Sequence, residues 1–126
     1  MDKIFDWIDS INASHAAIIV EGKKDKRSLL GLGIRNNIHM LSTMPVYMVI
    51  ENVAESEKEA LILTDFDKEG KDLYKRLKTG LQDHGVRVDS RLRQWLRRNT
   101  RISHIEGLLA YVKNKPITYQ RNKRTI

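Results

Sequence analysis

The hydrophobic and polar positions of this chain fall into two patterns, short continuous apolar runs and longer stretches with apolar residues every three or four positions. The short runs predict strands, and the spaced stretches predict amphipathic helices. Strands are predicted over residues 16–20, 38–41, 61–67 and 86–89. Helices are predicted over residues 2–12, from 25 to the Gly31/Gly33 region, 46–53, 68–82 and 90–99, with a last helix that begins near 103 and includes Val112.

The order of these elements predicts an α/β fold. Residues 16–20 are continuously apolar, which is typical of a strand covered on both faces. Strands that alternate with helices favour a compact parallel sheet, here of about four strands, with helices on both faces. We expect a single domain over residues 1–112 and a basic tail over 113–126, which is either frayed in solution or ordered by a polyanion.

The composition narrows the function classes. The 126 residues include 23 Lys plus Arg against 16 Asp plus Glu, and the formal net charge of +7 favours an acidic partner such as nucleic acid. The absence of cysteine excludes disulfides, thiolate catalysis and cysteine-based zinc sites. No apolar run approaches the roughly 20 residues that span a bilayer. Asp2, Asp6 and Asp9 are unlike the start of a signal peptide, so we expect a cytoplasmic protein with no membrane partner.

The stretch LILTDFDKEG, residues 61–70, carries the strongest candidate chemistry. An apolar strand leads directly into Asp65 and Asp67, and a helical pattern follows. Carboxylates at the carboxyl end of such a strand lie where open α/β sheets bind ligands, and their hard oxygens suit Mg²⁺. Asp67 has an equally good alternative as the N-cap of the following helix.

A second acid, Glu21, follows the first predicted strand. We expect it to share the sheet edge of Asp65, because the carboxyl ends of parallel strands meet at one edge. The basic run that follows, with Lys23, Lys24 and Lys26, is suited to holding a phosphate near a metal. A Walker-type P-loop is excluded because its first glycine and its Ser or Thr are missing.

The predicted helix over residues 90–99 carries a cationic face. Its arginines, with one just beyond, are Arg91, Arg93, Arg97, Arg98 and Arg101. The face is either a solvated helix surface or a contact for a nucleic-acid backbone, and five arginines without an acid between Ser90 and Ile105 favour the contact.

Three further residues have structural alternatives. His39 lies inside a strand pattern with no second histidine at ligand spacing, which favours a structural role. Ser103 and Glu106 have the spacing of a capping box, which favours Glu106 as part of a helix start over a catalytic acid. His104 lies beside them and is a candidate to face the acidic edge, the sheet edge that carries Glu21 and Asp65.

The two acidic blocks together resemble the Toprim domain, shared by topoisomerases, bacterial primases, OLD-type nucleases and the ribonuclease that matures 5S ribosomal RNA. The blocks are VEGKKD, residues 20–25, and LTDFDKEG, residues 63–70, and the resemblance covers about residues 16–88. The sequences of the two blocks are most similar to those of that ribonuclease and of small stand-alone archaeal Toprim proteins. The resemblance implies Glu21 as general acid/base, Asp65 and Asp67 as Mg²⁺ ligands with Glu21 and Glu69 as further candidates, and Mn²⁺ as an alternative ion.

The resemblance also implies the activity, Mg²⁺-dependent phosphodiester chemistry by a nuclease or phosphotransferase on structured RNA or DNA. One rival is a nucleic-acid-binding Toprim module that works without catalysis in a complex with a protein partner; a homodimer is also open. A receiver domain is disfavoured because the first strand ends in only one acid, Glu21.

Overall fold

The computed structural model describes residues 3–114, and in them the chain forms four strands and six helices. The strands are β1 Ala17–Val20, β2 Ile38–Met40, β3 Glu59–Ile62 and β4 Arg87–Asp89. The helices are α1 Lys3–Ser14, α2 Lys23–Gly31, α3 Val46–Ser56, α4 Lys68–Asp83, α5 Arg91–Asn99 and α6 Leu108–Lys113, and a 3-10 turn, Ile105–Gly107, precedes α6. Most of the predicted basic tail lies outside the described residues.

All four strands are parallel and follow the spatial order β2-β1-β3-β4. The two central strands are therefore β1 and β3, which pair through Ile18 and Leu61. The chain extends the sheet from β1 to one side with β2 and to the other side with β3 and β4. This arrangement confirms the predicted compact parallel α/β sheet, and it places a topological switch point between β1 and β3.

Alternate residues of the central strands enter two separate cores. Ile18 and Val20 face a core formed with α1, α2, α5 and α6. Ala17 and Ile19 face a core formed with α3 and α4. This alternation is the period of two expected of a strand, and because both faces are covered the strand reads as one continuous apolar run. Within residues 3–114, no helix has the length and apolar character needed to cross a membrane.

Several predicted element boundaries are wrong. The predicted strand over residues 61–67 is observed as β3, which begins and ends earlier. After Ile62 the chain forms a loop, residues 63–67, which we call the acidic loop. The helix predicted from Asp25 begins at Lys23. The capping box is also wrong: Ser103 Oγ pairs with Nδ1 of His104 at 2.9 Å, and a 3-10 turn stands where the helix was expected to start.

A candidate metal site at the carboxyl edge of the sheet

Two acidic residues meet where the two central strands end. Glu21 follows β1 directly, and Asp65 lies shortly after β3. Oε2 of Glu21 accepts a hydrogen bond of 2.8 Å from the backbone nitrogen of Asp65. The pair therefore lies at the switch point of the sheet, where open α/β folds bind their ligands.

The loop between β3 and α4 is packed tightly against the first turn of the helix. Oδ1 of Asp67 accepts a 2.8 Å hydrogen bond from the nitrogen of Gly70, so Asp67 is the N-cap of α4. The buried hydroxyl of Thr64 donates to the carbonyl of Gly70 at 2.7 Å. A Cβ at Gly70 would lie 2.0 Å from the carbonyl oxygen of Asp65, so only glycine fits there. The spacing of Asp65, Asp67 and Gly70 is thus a packing requirement of the loop.

A segment from far along the chain completes the loop. The backbone nitrogen of Phe66 donates to the carbonyl of Ser103 at 2.8 Å, and the nitrogen of Ile105 donates to Oδ1 of Asp65 at 2.8 Å. These two bonds carry His104 to the acidic edge, where its Nε2 lies 3.5 Å from Oδ2 of Asp67. The His104 side chain lies close to Asp67 because these two hydrogen bonds hold the backbone on either side of it.

Asp65, Asp67 and His104 form a group that could hold a metal ion, since one ligand atom from each lies within 4.8 Å of the others. Backbone N–H groups fix one oxygen of each carboxylate, which orients the carboxylates in advance. Carboxylate oxygens suit Mg²⁺ and Mn²⁺, whereas imidazole is a more typical ligand of Zn²⁺ and of iron, copper and nickel ions. The donor set therefore fits a divalent cation.

Glu21 and Glu69 lie outside this three-residue group. Glu21 is held against the backbone of Asp65, beside the group. Glu69 is exposed in the first turn of α4, where a carboxylate interacts favourably with the positive end of the helix dipole. Their assignment as metal ligands stays a prediction.

The electrostatics of the edge favour proton uptake by Glu21. Burial raises the pKa of the Glu21 carboxyl above its ordinary value; the hydrogen bond from Asp65 lowers it, and the nearby negative charges, led by Asp65, raise it further. A carboxyl with a raised pKa is a better proton donor near neutral pH than an ordinary one.

Asp25, the last residue of the first signature block, is a buried member of the same edge. It is 6% exposed, and its Oδ2 accepts a 2.9 Å hydrogen bond from the nitrogen of Gly22. Burial raises the pKa of its carboxyl, and backbone hydrogen bonds from Gly22 and Glu106 lower it. Asp25 therefore ties the start of α2 to the 3-10 turn beneath the acidic loop. Its position three residues after Gly22 is the sequence signal for this role.

The predicted cationic face of α5 includes one residue that the structure places inside. Arg93 is 6% exposed and lies on the same helix face as the buried Leu96, so its prediction as part of an exposed surface is wrong. Its spacing of three from Leu96 was the signal available in the sequence.

The other predicted cations lie at or near the surface. Arg91, Arg97, Arg98, Arg101, Lys23 and Lys24 are exposed, and Lys26 is half-buried. Arg91 forms an ion pair of 3.6 Å with Asp89. Lys23 and Lys24 begin α2 immediately after the acidic edge, so of these residues they are nearest to Glu21 along the chain.

His39 is the middle residue of the edge strand β2, in register with Ile19 of β1. Its Nε2 is buried without a hydrogen-bond partner among the described residues, and Lys26, Asn36 and Glu57 line the same shallow cavity. Burial lowers the pKa of the His39 imidazole, opposed by the charge of Glu57 and aided by that of Lys26. These surroundings agree with a structural histidine.

Comparison of the sequence with known proteins gives a consistent set of relatives. A family model described as the Toprim domain matches residues 15–91. A UPF0292 protein of Methanocaldococcus jannaschii is 31% identical over 119 residues, covering 90% of this chain and 93% of that protein. A UPF0292 protein of Pyrococcus abyssi is 42% identical over 96 residues, covering 75% of this chain and 72% of that protein.

Two solved structures resemble the fold. A putative protein from Aquifex aeolicus superposes with a TM-score of 0.74 at 30% identity, covering 82% of this chain and 95% of that one. The zinc-binding and RNA polymerase domains of the Aquifex aeolicus primase superpose with a TM-score of 0.51 at 20% identity, covering 94% of this chain and 31% of that one. The second likeness concerns the fold alone.

Proposed function

The chain belongs to the Toprim domain family, and we propose that it is a divalent-metal-dependent nuclease that cleaves phosphodiester bonds of structured RNA or DNA. The family match and the acidic group make it a nucleic-acid-related module with a candidate metal site. The nuclease activity, the identity of the ion as Mg²⁺ or Mn²⁺ and the polymer are the parts that we propose.

One observation carries the proposal, the 2.8 Å hydrogen bond between Glu21 and the backbone of Asp65. It places a carboxyl with a raised pKa beside the group of Asp65, Asp67 and His104. A proton-transferring group next to a metal-binding group is the arrangement that metal-assisted hydrolysis needs. A structural capping role for Asp67 alone would not require a carboxyl at Glu21.

Each residue has a distinct part in the proposed reaction. Asp65 and Asp67, with His104, would hold the metal ion, which neutralises the charge that develops on the phosphate and orients the leaving group. Glu21 moves a proton at its carboxylate oxygen, to or from the attacking or leaving oxygen, a contribution of about 10² to 10⁴ in rate.

The basic residues bind and orient the polymer. Lys23 and Lys24 lie next to Glu21 in sequence and are suited to contact phosphates close to the scissile bond. The exposed arginines of α5 and Arg101 would contact the backbone farther away. Because these contacts are electrostatic, binding weakens as salt rises.

The test is cleavage of three substrates, a structured RNA, a single-stranded DNA and a duplex DNA, each with Mg²⁺, with Mn²⁺ and with a chelator. The wild type is compared with Glu21→Gln and Asp65→Asn, and with Asp72→Asn as the matched control. Asp72 is an exposed acid of α4 outside the site. The proposal predicts metal-dependent cutting of at least one substrate, lost in both site variants and kept in the control.

Binding without cutting by any protein would overturn the nuclease and support the rival, a binding module within a partner complex. Glu21→Gln distinguishes the two further, because an enzyme variant keeps its affinity for nucleic acid while losing turnover. A variant of Glu69, Glu69→Gln, tests the remaining candidate ligand in the same assay.

A further inference from the structure

We propose that Arg93, buried beneath the acidic edge, is a positioning residue that holds the Thr64–Asp65 peptide and, through it, Glu21. Its effect on the reaction rests on the proposed nuclease function. Its effect on the peptide does not, and the two are tested separately below.

The guanidinium of Arg93 is bound by the backbone where β3 ends. Nη1 donates to the carbonyl of Thr64 at 2.6 Å and to that of Ile62 at 3.3 Å, and Nη2 donates to the carbonyl of Asp65 at 3.2 Å. Among the described residues, no carboxylate lies within ion-pair distance of Arg93. The guanidinium thus binds three backbone carbonyls, those of Ile62, Thr64 and Asp65, and no acidic side chain.

Two aromatic rings fix the plane of the guanidinium. Its central carbon lies 4.7 Å from the ring centroid of Phe66 and 4.6 Å from that of Tyr74. Phe66 belongs to the acidic loop itself, and Tyr74 comes from α4. Arg93 therefore connects β3, the acidic loop and α4 at one point. Its side chain is almost completely buried, with 6% of the residue exposed.

The contact with Thr64 reaches Glu21 through a single peptide unit. The carbonyl of Thr64 and the nitrogen of Asp65 belong to the same planar group, so they point in opposite directions. Arg93 binds the carbonyl side, and Glu21 Oε2 binds the N–H side at 2.8 Å. A rotation of this peptide would break both bonds, so Arg93 holds the N–H in the direction that Glu21 uses.

A general structural role would also make Arg93 important, because its removal leaves buried carbonyls without a partner. The substitution Arg93→Lys distinguishes this general structural role from the positioning role. Lysine keeps a charge and three donors on a flexible chain but lacks the planar fork that spans several carbonyls between two rings. It is expected to preserve the fold better than the peptide geometry.

The first measurement needs no activity. In metal-free protein labelled with ¹⁵N, Arg93→Lys should shift the amide resonance of Asp65 and speed its hydrogen exchange by about tenfold or more relative to amides in the centre of β1. Arg76→Met, which removes an exposed arginine of α4, is the control and should leave the Asp65 amide unchanged. An Asp65 amide that remains as protected in Arg93→Lys as in the wild type overturns the proposal.

The second measurement uses the cleavage assay at a temperature where thermal unfolding shows Arg93→Lys to be folded. Misplacing Glu21 should lower kcat by about 10- to 100-fold and leave KM nearly unchanged. An unchanged kcat overturns the positioning role even if the amide shifts. If the wild type does not cleave any substrate, the nuclease proposal fails alone, and the amide measurement decides the role of Arg93.

Discussion

Glu21 and Asp65, 44 residues apart in the chain, are joined by a hydrogen bond of 2.8 Å from the backbone nitrogen of Asp65 to the Glu21 carboxylate. The bond uses the main chain of one acid and the side chain of the other. The carboxylate of Asp65 is consequently left to the metal group, where its Oδ1 is oriented by the nitrogen of Ile105. The proposed proton transfer and the proposed metal binding therefore use different atoms, whose positions this hydrogen bond couples.

Asp67 can be tested for its two roles with two substitutions. Asparagine is as good an N-cap as aspartate but lacks the charge, whereas alanine lacks both. We expect metal-free Asp67→Asn to be nearly as stable as the wild type, and Asp67→Ala to lose about 1 kcal/mol. A saturating divalent ion, at about 100 times its Kd, should stabilise the wild type by about 2.7 kcal/mol.

Both substitutions should remove most of that metal-dependent stabilisation, measured as the free energy of unfolding with Mn²⁺ and with a chelator. Asp83→Asn, in the last turn of α4, is a control that should keep it. If Asp67→Asn is stabilised by Mn²⁺ as strongly as the wild type, Asp67 is a cap and not a ligand.

Gly70→Ala should destabilise the protein by about 1 to 3 kcal/mol, the usual cost of forcing extra atoms into a packed site. The new Cβ would lie 2.0 Å from the carbonyl oxygen of Asp65, which is rigid backbone. Denaturant unfolding measures the loss. Gly107→Ala is the control, since its Cβ would meet nothing within 4 Å, and it should change stability by less than about 0.5 kcal/mol. Equal effects of the two would show that the loop yields more easily than its contacts indicate.

His39 should make the protein less stable as the pH falls below the ordinary histidine value of 6.5. Burial lowers the pKa of folded His39, so the unfolded chain binds a proton in a pH range where the folded chain does not. The contribution of neutral His39 to the free energy of unfolding is fully present above pH 6.5. It is lost as the pH falls from 6.5 toward the lower pKa of His39 in the folded protein. His39→Leu should flatten this part of the curve of unfolding free energy against pH.

The comparison of His39→Leu with the wild type isolates this one group. Glu21 and Asp25, whose raised pKa values act in the opposite direction, are present in both proteins and cancel. Parallel curves for His39→Leu and the wild type would contradict the prediction.

Arg98→Met should weaken nucleic-acid binding and reduce its salt dependence. Each phosphate contact contributes about 0.9 to the slope of log K against log salt for a duplex and about 0.7 for a single strand. We expect the slope to fall by about that amount for Arg98→Met, and by about the same again when Arg97→Met is added. Fluorescence anisotropy over a range of salt concentrations measures it. Unchanged slopes, equal to that of Arg76→Met, would identify the arginine face of α5 as ordinary solvated surface.

The parallel sheet and its acidic edge were predictable because both depend on local patterns. A continuous apolar run such as residues 16–20 identifies a doubly covered strand, and the ends of parallel strands share one edge. Glu21 and Asp65 could therefore be expected to meet before any contact was known. The hydrogen bond between them could not, because it uses a backbone nitrogen, which every residue has.

Arg93 and His104 show what local patterns leave undetermined. Arg93 has the same side chain as its exposed neighbours. Its spacing from Leu96 indicates a shared helix face, but its contacts with Phe66 and Tyr74 depend on tertiary packing. His104 reaches the site through backbone bonds of Ser103 and Ile105, which carry no signature in side-chain type. The predicted capping box failed for a local reason, because Ser103 Oγ pairs with Nδ1 of the adjacent His104.

The acidic loop takes its supports from beyond residue 91, where the family match ends. Arg93, the Ser103 carbonyl and the Ile105 nitrogen all lie past that point, and each satisfies a backbone or carboxylate group of the loop. The end of the family model is thus not the end of the cooperative folding unit. A fragment cut there would keep every signature residue and lose the partners that orient them, and local opening of the segment after α5 would dismantle the edge without unfolding the sheet.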